Sequence, residues 1–385
     1  MGMHIWREFY PVGQGAFYSE RLFEGCRIIY DCGGNSPQYK HAINKNTYKN
    51  ENIEMLFISH FHADHINGVP HLLKRVKVKK IIIPYMDDAA KHISVLMNRV
   101  CFDEMDTAEL ELTARFIIDP IAFLREYAPE AEVIQVSSVD EGFNFEESVM
   151  DARAEVPNFD EAFRVENIPS TIRSGHTINI YGNRRITELL WELKPYNINC
   201  SKYKQGLINE LSRVGIDINR LSDSNYYISK KNILIKCYEK IIGGKQKFNI
   251  NSMMLLSYTK CNLACWMGIY SDYQISGRFS DFPGCLYCGD ADLKSNFVVK
   301  LIQSVKKYMG LLQIPHHGSE HNYNEALVME LLAKKRGKAI ISAGIDDKRH
   351  CHPDKSVLTS LLSNLITTYI VDKEKVSFEY TLFKR

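Results

Sequence analysis

The chain has 385 residues, 45 % of them hydrophobic and 24 % charged, with a formal net charge of +2. These are the proportions of a soluble globular protein, and they exclude a fibrous or a broadly disordered chain. A net charge so near zero gives no global attraction to nucleic acid, so any basic binding surface has to be local.

The first sixty residues read as β-rich. Trp6 to Pro11 and Gly15 to Ser19 have strand character around the turn Val12-Gly13-Gln14-Gly15, and Arg27 to Tyr30 is a further strand stopped by Asp31-Cys32-Gly33-Gly34. The apolar run Ile53 to Ser59 ends directly at His60. A short helix is predicted over Val69 to Arg75, with its start near Asn67, and a strand over Val78 to Pro84. This strand, loop, helix, strand rhythm is an α/β pattern.

Asp88 to Tyr127 is helical in pattern, and the acidic stretch Asp140 to Glu166 reads as irregular. Ile178 to Tyr181 and Leu189 to Leu193 read as strands. Residues 197–246, rich in Lys, Asn and Ser, read as an inserted helical subdomain within a single domain that spans 1–385. Alternation then returns: strands at Met253 to Tyr258, Cys285 to Gly289, Leu311 to Ile314 and Ala339 to Ala343, with helices at Asn296 to Tyr308 and around Asn324 to Lys335.

The N-terminal residues lack the apolar core of a signal peptide, and no stretch has the length of apolar residues needed to span a bilayer. The ten cysteines are dispersed, which suits reduced thiols. The expectation is a cytoplasmic protein with no membrane partner. Cys261, Cys265, Cys285 and Cys288 have the spacing of a four-thiolate zinc site, but Cys285 and Cys288 lie three apart along a strand and face opposite sides. Reduced core cysteines are the favoured reading. The basic run Lys74, Arg75, Lys77, Lys79, Lys80 could steer a nucleic-acid backbone, although a solvated helix end accounts for it better, and Lys334, Lys335, Arg336 and Lys338 are read in the same way.

Ser59-His60-Phe61-His62-Ala63-Asp64-His65 carries the chemistry. Two imidazoles two residues apart, just past a strand, can share one metal ion, while the adjacent Asp64 and His65 can serve a second. Imidazole nitrogen with carboxylate oxygen suits zinc, and also manganese or iron.

This HxHxDH motif resembles the signature of the metallo-β-lactamase superfamily, and its surroundings are most similar to the hydrolase domain of the competence protein ComEC. The features shared, in order, are Val12-Gly13-Gln14-Gly15, Asp31 at a strand end, His65-Ile66-Asn67-Gly68-Val69, Gly289-Asp290, Pro315-His316-His317-Gly318-Ser319, and Ile341-Ser342-Ala343-Gly344 leading to His352-Pro353. Ala16 departs from the pattern, since an acidic residue usually stands there, and residues from about 120 to 250 do not align. With no transmembrane channel alongside the domain, DNA transport is not implied.

The resemblance implies a four-layer αββα sandwich with a helical insertion, and a site for two divalent metal ions, zinc or manganese. His60 and His62 would hold one ion, Asp64 and His65 the other, with Asp290 either bridging them or capping a turn. Asp31 would accept a hydrogen bond from a ligand histidine or serve the turn. His176, in Ser174-Gly175-His176-Thr177, is either a third ligand or a turn residue. His352 is the leading candidate for the last histidine, ahead of His350. Of His316 and His317, one would ligate and the other donate to a developing phosphorane or leaving group, and His317 ranks above His316.

The expected activity is phosphodiester hydrolysis of DNA or RNA by a metal-held hydroxide, with Asp64, His317 and Asp31 in catalytic roles. Two alternatives stay open: hydrolysis of a small ester, thioester or lactam on the same ions, and a scaffold subunit with a degenerate site. Protein partners could dock on the insertion.

Overall fold

The first three strands show how the sequence builds its layers. β1 (Met3–Phe9), β2 (Phe17–Phe23) and β3 (Cys26–Cys32) pair antiparallel in chain order. Every residue of β3 is buried. Its Ile29 enters a core under helices, whereas Ile28 and Tyr30 enter a core between two sheets. A strand covered on both faces loses the polar alternation of a half-exposed one.

The computed structural model describes residues 3–45, 52–101, 107–139, 162–182, 190–199, 201–242, 251–261, 263–271, 274–280, 282–333, 337–345 and 352–384. After β3 come α1 (Ser36–Lys45), β4 (Asn52–Phe57), the short helices α2 (Ala63–Ile66) and α3 (Val69–Leu73), and β5 (Lys77–Pro84). Helices α4 (Asp88–Cys101), α5 (Thr107–Ile118) and α6 (Pro120–Tyr127) lead to β6 (Glu132–Val136). The start of α6 follows from its sequence: Pro120 occupies the first turn and the Asp119 carboxylate accepts from Ala122 N.

Next come β7 (Phe163–Val165), β8 (Thr171–Ile172), β9 (Ile178–Gly182), β10 (Leu190–Asn199), α7 (Ser201–Arg213), α8 (Ser224–Ile242) and β11 (Asn251–Tyr258). The chain continues through β12 (Leu263–Ser271), β13 (Gln274–Ser280), β14 (Gly284–Tyr287), α9 (Asn296–Val305), β15 (Met309–Gln313), α10 (Glu325–Leu332), β16 (Lys338–Ser342), α11 (Lys355–Ser363), β17 (Thr367–Val371) and β18 (Val376–Lys384).

One sheet runs β13-β12-β18-β1-β2-β3-β4-β5-β6-β8 and the other β17-β16-β15-β14-β11-β10-β9-β7. Between them lies a core that includes Phe9, Tyr30, Phe57, Trp191, Leu255, Tyr287 and Tyr380. Outside the first sheet, Leu56 and Ile83 pack on Leu72, Ile93, Leu96 and Phe116, and outside the second, Leu312 and Ile341 pack on Leu301, Leu331 and Leu361. These three cores define four layers in the expected order, helix, sheet, sheet, helix.

A buried ion pair locks the inner core. Arg7, fully buried, pairs with Glu20 at 2.7 Å, and its guanidinium lies over the rings of Tyr380 and Trp191.

Helices α7 and α8 join β10 to β11, which are hydrogen-bonded neighbours that a tight turn could connect. They share the core of the first helical layer: Leu207, Leu211, Leu234 and Tyr238 join Ile93 and Leu96. Arg99 of α4 donates to Leu221 O at 3.0 Å and stacks on Tyr227. Asn197 to Asn199, read from the sequence as helix-leaning, complete the strand β10.

Other expectations need correction. Part of the acidic stretch read as irregular forms β7, paired with β9, while residues 140–161 lie outside the described residues. The helix expected to start near Asn67 is α3, which begins at Val69 after Gly68, and a separate short helix, α2, starts at Ala63 inside the histidine motif. No helix of the described residues is long and apolar enough to cross a membrane.

Candidate metal centre

Two sets of parallel strands deliver the site to one edge of the sandwich. Asp31 lies near the end of β3, and His60, His62, Asp64 and His65 follow β4. From the second sheet, Asp290 follows β14, His316 and His317 follow β15, and Ser342 ends β16. Carboxyl ends of parallel strands are where an α/β sheet leaves room for a ligand.

The loop after β4 is clamped from outside. Asn98 of α4 accepts from Ala63 N at 3.0 Å and donates to Phe61 O at 3.1 Å. Asn67 accepts from Gly34 N and donates to Gly34 O and to Glu109. Gly33 lets the turn after β3 press against the motif, since a Cβ there would sit 2.5 Å from the His65 carbonyl carbon. The Val12–Gly15 turn closes on the same loop, with Ala16 N donating to Asp64 O.

Two groups of ligand atoms result. One comprises His60, His62 and Asp290, the other Asp64, His65 and His317, all buried, with the atoms of each group within 4.8 Å of one another. Asp290 touches both groups: its Oδ2 lies 3.5 Å from His60 Nε2 and its Oδ1 3.4 Å from His65 Nε2. His317 Nε2 lies 3.4 Å from Asp64 Oδ2.

These separations test whether a cation fits. The Nε2 atoms of His60, His65 and His317 are buried without a hydrogen-bond partner, a costly arrangement unless something else binds them. Nitrogen and oxygen atoms each about 2.0–2.2 Å from one ion at tetrahedral angles stand roughly 3.4 Å apart. The residues fit divalent metal binding.

Surrounding groups fix these side chains. Asp31 Oδ2 accepts from His65 Nδ1 at 2.8 Å, and both Asp31 oxygens bind Ser59, through its N–H and its hydroxyl. His317 Nδ1 donates to Ser342 O at 2.9 Å, which leaves Nε2 as the acceptor facing Asp64. Gln313 Oε1 accepts from Cys288 N and Gly289 N, and its Nε2 donates to Ile314 O and Gly289 O. Asp290 N donates to Ser252 Oγ, and Asn322 donates to Asp290 O while its own Oδ1 accepts from His316 Nδ1.

Charge follows this geometry. Burial and the neighbouring His65 push the His60 imidazolium down, toward the neutral form that binds a cation. Burial alone would raise the Asp290 carboxyl, but the nearby His316, His65 and His60 outweigh it and hold it well below the usual range. His65 behaves oppositely: burial would lower it, and the carboxylates of Asp290 and Asp31 raise it well above the ordinary value.

Some residues singled out in the sequence stand outside both groups. His352 faces His316, with ring centroids 5.7 Å apart, and Asp354 Oδ2 at 3.6 Å. His317 lies in the second group, where its left-handed backbone, φ +54°, turns the ring toward Asp64. His176 sits at the β8–β9 turn, partly exposed, 4.0 Å from Glu166. His350 lies outside the described residues.

The four cysteines form no metal group among the described residues. Cys285 faces the core between the sheets and Cys288 the outer one. The basic run lies at the start of β5, the opposite end from the site, with Lys79 paired to Glu54 and Lys80 to Glu132. Lys338 is buried at the start of β16, and residues 334–336 lie outside the described residues.

Sequence reasoning gave no role to Ser59, Gln313, Asn322 or Ser342. Gln313 leaves a signal, as a polar residue within an apolar strand two residues before Pro315-His316-His317.

Residues 21–107, from within β2 to the start of α5, match the family model described as the metallo-beta-lactamase superfamily. This span contains the whole histidine motif. The fold is a metallo-β-lactamase fold. Along 90 % of its length the chain is 25 % identical to ribonuclease J of Mycoplasma genitalium, covering 70 % of that protein. Among solved structures it is similar to a long-form RNase Z from yeast, at 11 % identity and a TM-score of 0.34, over 87 % of this chain. The chain spans about a third of that structure, 36 %.

Proposed function

We propose that the chain is a metal-dependent phosphodiesterase that cleaves RNA or DNA, RNA foremost, with two divalent ions, zinc or manganese. The observation that carries the reading is Asp290, which offers one oxygen to a histidine of each group. His60, His62 and Asp290 would hold one ion, and Asp64, His65 and His317 the other, with Asp290 shared. Such ions supply a nucleophile from water at neutral pH and neutralise charge on the attacked phosphorus. The similarity to ribonuclease J, and the motif order shared with ComEC-type hydrolases, support a nucleic-acid substrate.

The chain's own residues provide orientation. Ser342 O holds His317 by Nδ1, and Asp31 holds His65, so both rings present Nε2 to the site. Asn322 orients His316 beside Asp290, where His316 Nε2 is the atom proposed to exchange a proton with the leaving oxygen.

The test is incubation of the purified protein with single- and double-stranded RNA and DNA in Mn²⁺ or Zn²⁺. Cleavage of RNA, abolished in the double variant His60→Ala, Asp64→Ala, is the expected result. Equal cleavage by that variant, or no cleavage of any of the four substrates, would overturn the proposal.

A further inference from the structure

We propose that Ser59 is a positioning residue through which one carboxylate, Asp31, sets the imidazole tautomers of both ligand groups. The inference rests on the metal-centre reading above. Ser59 and Asp31 are both fully buried. Ser59 Oγ lies 2.7 Å from Asp31 Oδ2 and 2.9 Å from His60 Nδ1, and Asp31 Oδ2 lies 2.8 Å from His65 Nδ1.

The protons can be placed one by one. An ionised carboxylate only accepts, so the single hydroxyl proton of Ser59 goes to Asp31. With that proton committed, Ser59 Oγ can only accept from His60, so His60 carries its proton on Nδ1. Its Nε2 is then a lone pair, and this is the atom that faces Asp290 Oδ2 at 3.5 Å. His65 donates its Nδ1 proton to Asp31 directly, and its Nε2 faces Asp290 Oδ1. Ser59 Oγ is also 3.4 Å from His65 Nδ1, but the 2.8 Å contact to Asp31 is the better acceptor for that proton.

The hydroxyl is held from both sheets. Ser59 N donates to Asp31 Oδ1 at 2.7 Å, and Ser59 O accepts from Met253 N of β11 at 2.7 Å. The turn carrying Asp290 packs on it, since a Cβ at Gly289 would meet Ser59 Cβ at 2.8 Å. Asp31 thus reaches His65 in one step and His60 in two, and replacing Ser59 disconnects only the second path.

Nitrogen-15 NMR of the histidines in metal-free protein reads the tautomers without substrate. In the wild type, His60 is expected with its proton on Nδ1; in Ser59→Ala it should shift toward the Nε2–H form, and Ser59→Thr should restore it. Affinity for the ion at His60 and His62 should fall about 10–100-fold in Ser59→Ala and recover in Ser59→Thr, with the His65 Nδ1–H still bonded to Asp31. A wild-type His60 protonated on Nε2, or a Ser59→Ala protein with unchanged tautomers and metal affinity, would overturn the proposal. Neither readout involves catalysis, so a failure of the nuclease reading would give a different result.

Discussion

Asp64 and His317 meet across the two sheets, with Asp64 Oδ2 3.4 Å from His317 Nε2. Asp64 follows a strand of the first sheet and His317 a strand of the second. Each group of ligands draws on both sheets in this way, because Asp290 joins His60 and His62. The proposed site therefore exists only when the sandwich is closed.

Replacing His317 by alanine should remove one ligand and leave the fold, since the ring lies at the sheet edge and not in the apolar core. Activity is expected to fall by more than ~100-fold, beyond the usual effect of losing an outer partner. Loss of about one ion per chain, with unchanged circular dichroism, would accompany it. Retention of full metal content and activity would remove His317 from the ligand set.

Gln313 acts on Asp290 through the backbone. Its amide serves Cys288 N and Gly289 N, both buried, at 2.6 and 2.9 Å. Gln313→Ala leaves these donors without a partner, at a cost of about 2–4 kcal/mol. Urea unfolding measures that loss, and metal affinity should fall with it. A neutral effect on both would mean that the turn needs no such support.

Gly289 has φ +54°, and a Cβ there would meet Ser59 Cβ and Ser252 Oγ, each at 2.8 Å. Gly289→Ala is therefore expected to displace Asp290 and weaken metal binding more than it changes secondary structure. Calorimetric metal titration checks it, and wild-type affinity in this variant would contradict the packing described.

Acid sensitivity should come in part from Glu8, where the two ends of the chain meet. Burial would raise its carboxyl, but the Lys375 ammonium at 2.7 Å, with Arg27 and Tyr10, lowers it below the ordinary 4.5. A carboxylate with a depressed folded-state pKa contributes stability above the unfolded value, and that stability is lost as pH falls through the folded one. Melting temperature should thus drop below about pH 4.5, and Glu8→Gln should be less stable at neutral pH and show a shallower acid limb. Parallel pH profiles for the two proteins would contradict this.

The histidine motif was legible because its four donor residues fall within six consecutive residues after an apolar strand. Asp290 and His317 were reached only through the resemblance, since no local pattern says that β14 and β15 end beside β4. The different surroundings of His352 and His317 could not be read for a similar reason. Both follow strands of the same sheet, and the backbone at Pro315–Ser319, which turns His317 inward, has no signature in residue spacing. Nor could β18 be placed, although Val376, Phe378, Tyr380 and Leu382 alternate inward, because its partners β1 and β12 lie far away in sequence.

The most direct test of a centre built from both sheets is elemental analysis of the purified protein, paired with RNA cleavage before and after chelation. The account predicts about two divalent ions per chain, loss of cleavage when they are removed, and recovery when Mn²⁺ or Zn²⁺ is returned. RNA cleavage that persists in the metal-depleted protein, or full activity with a single ion bound, would contradict it.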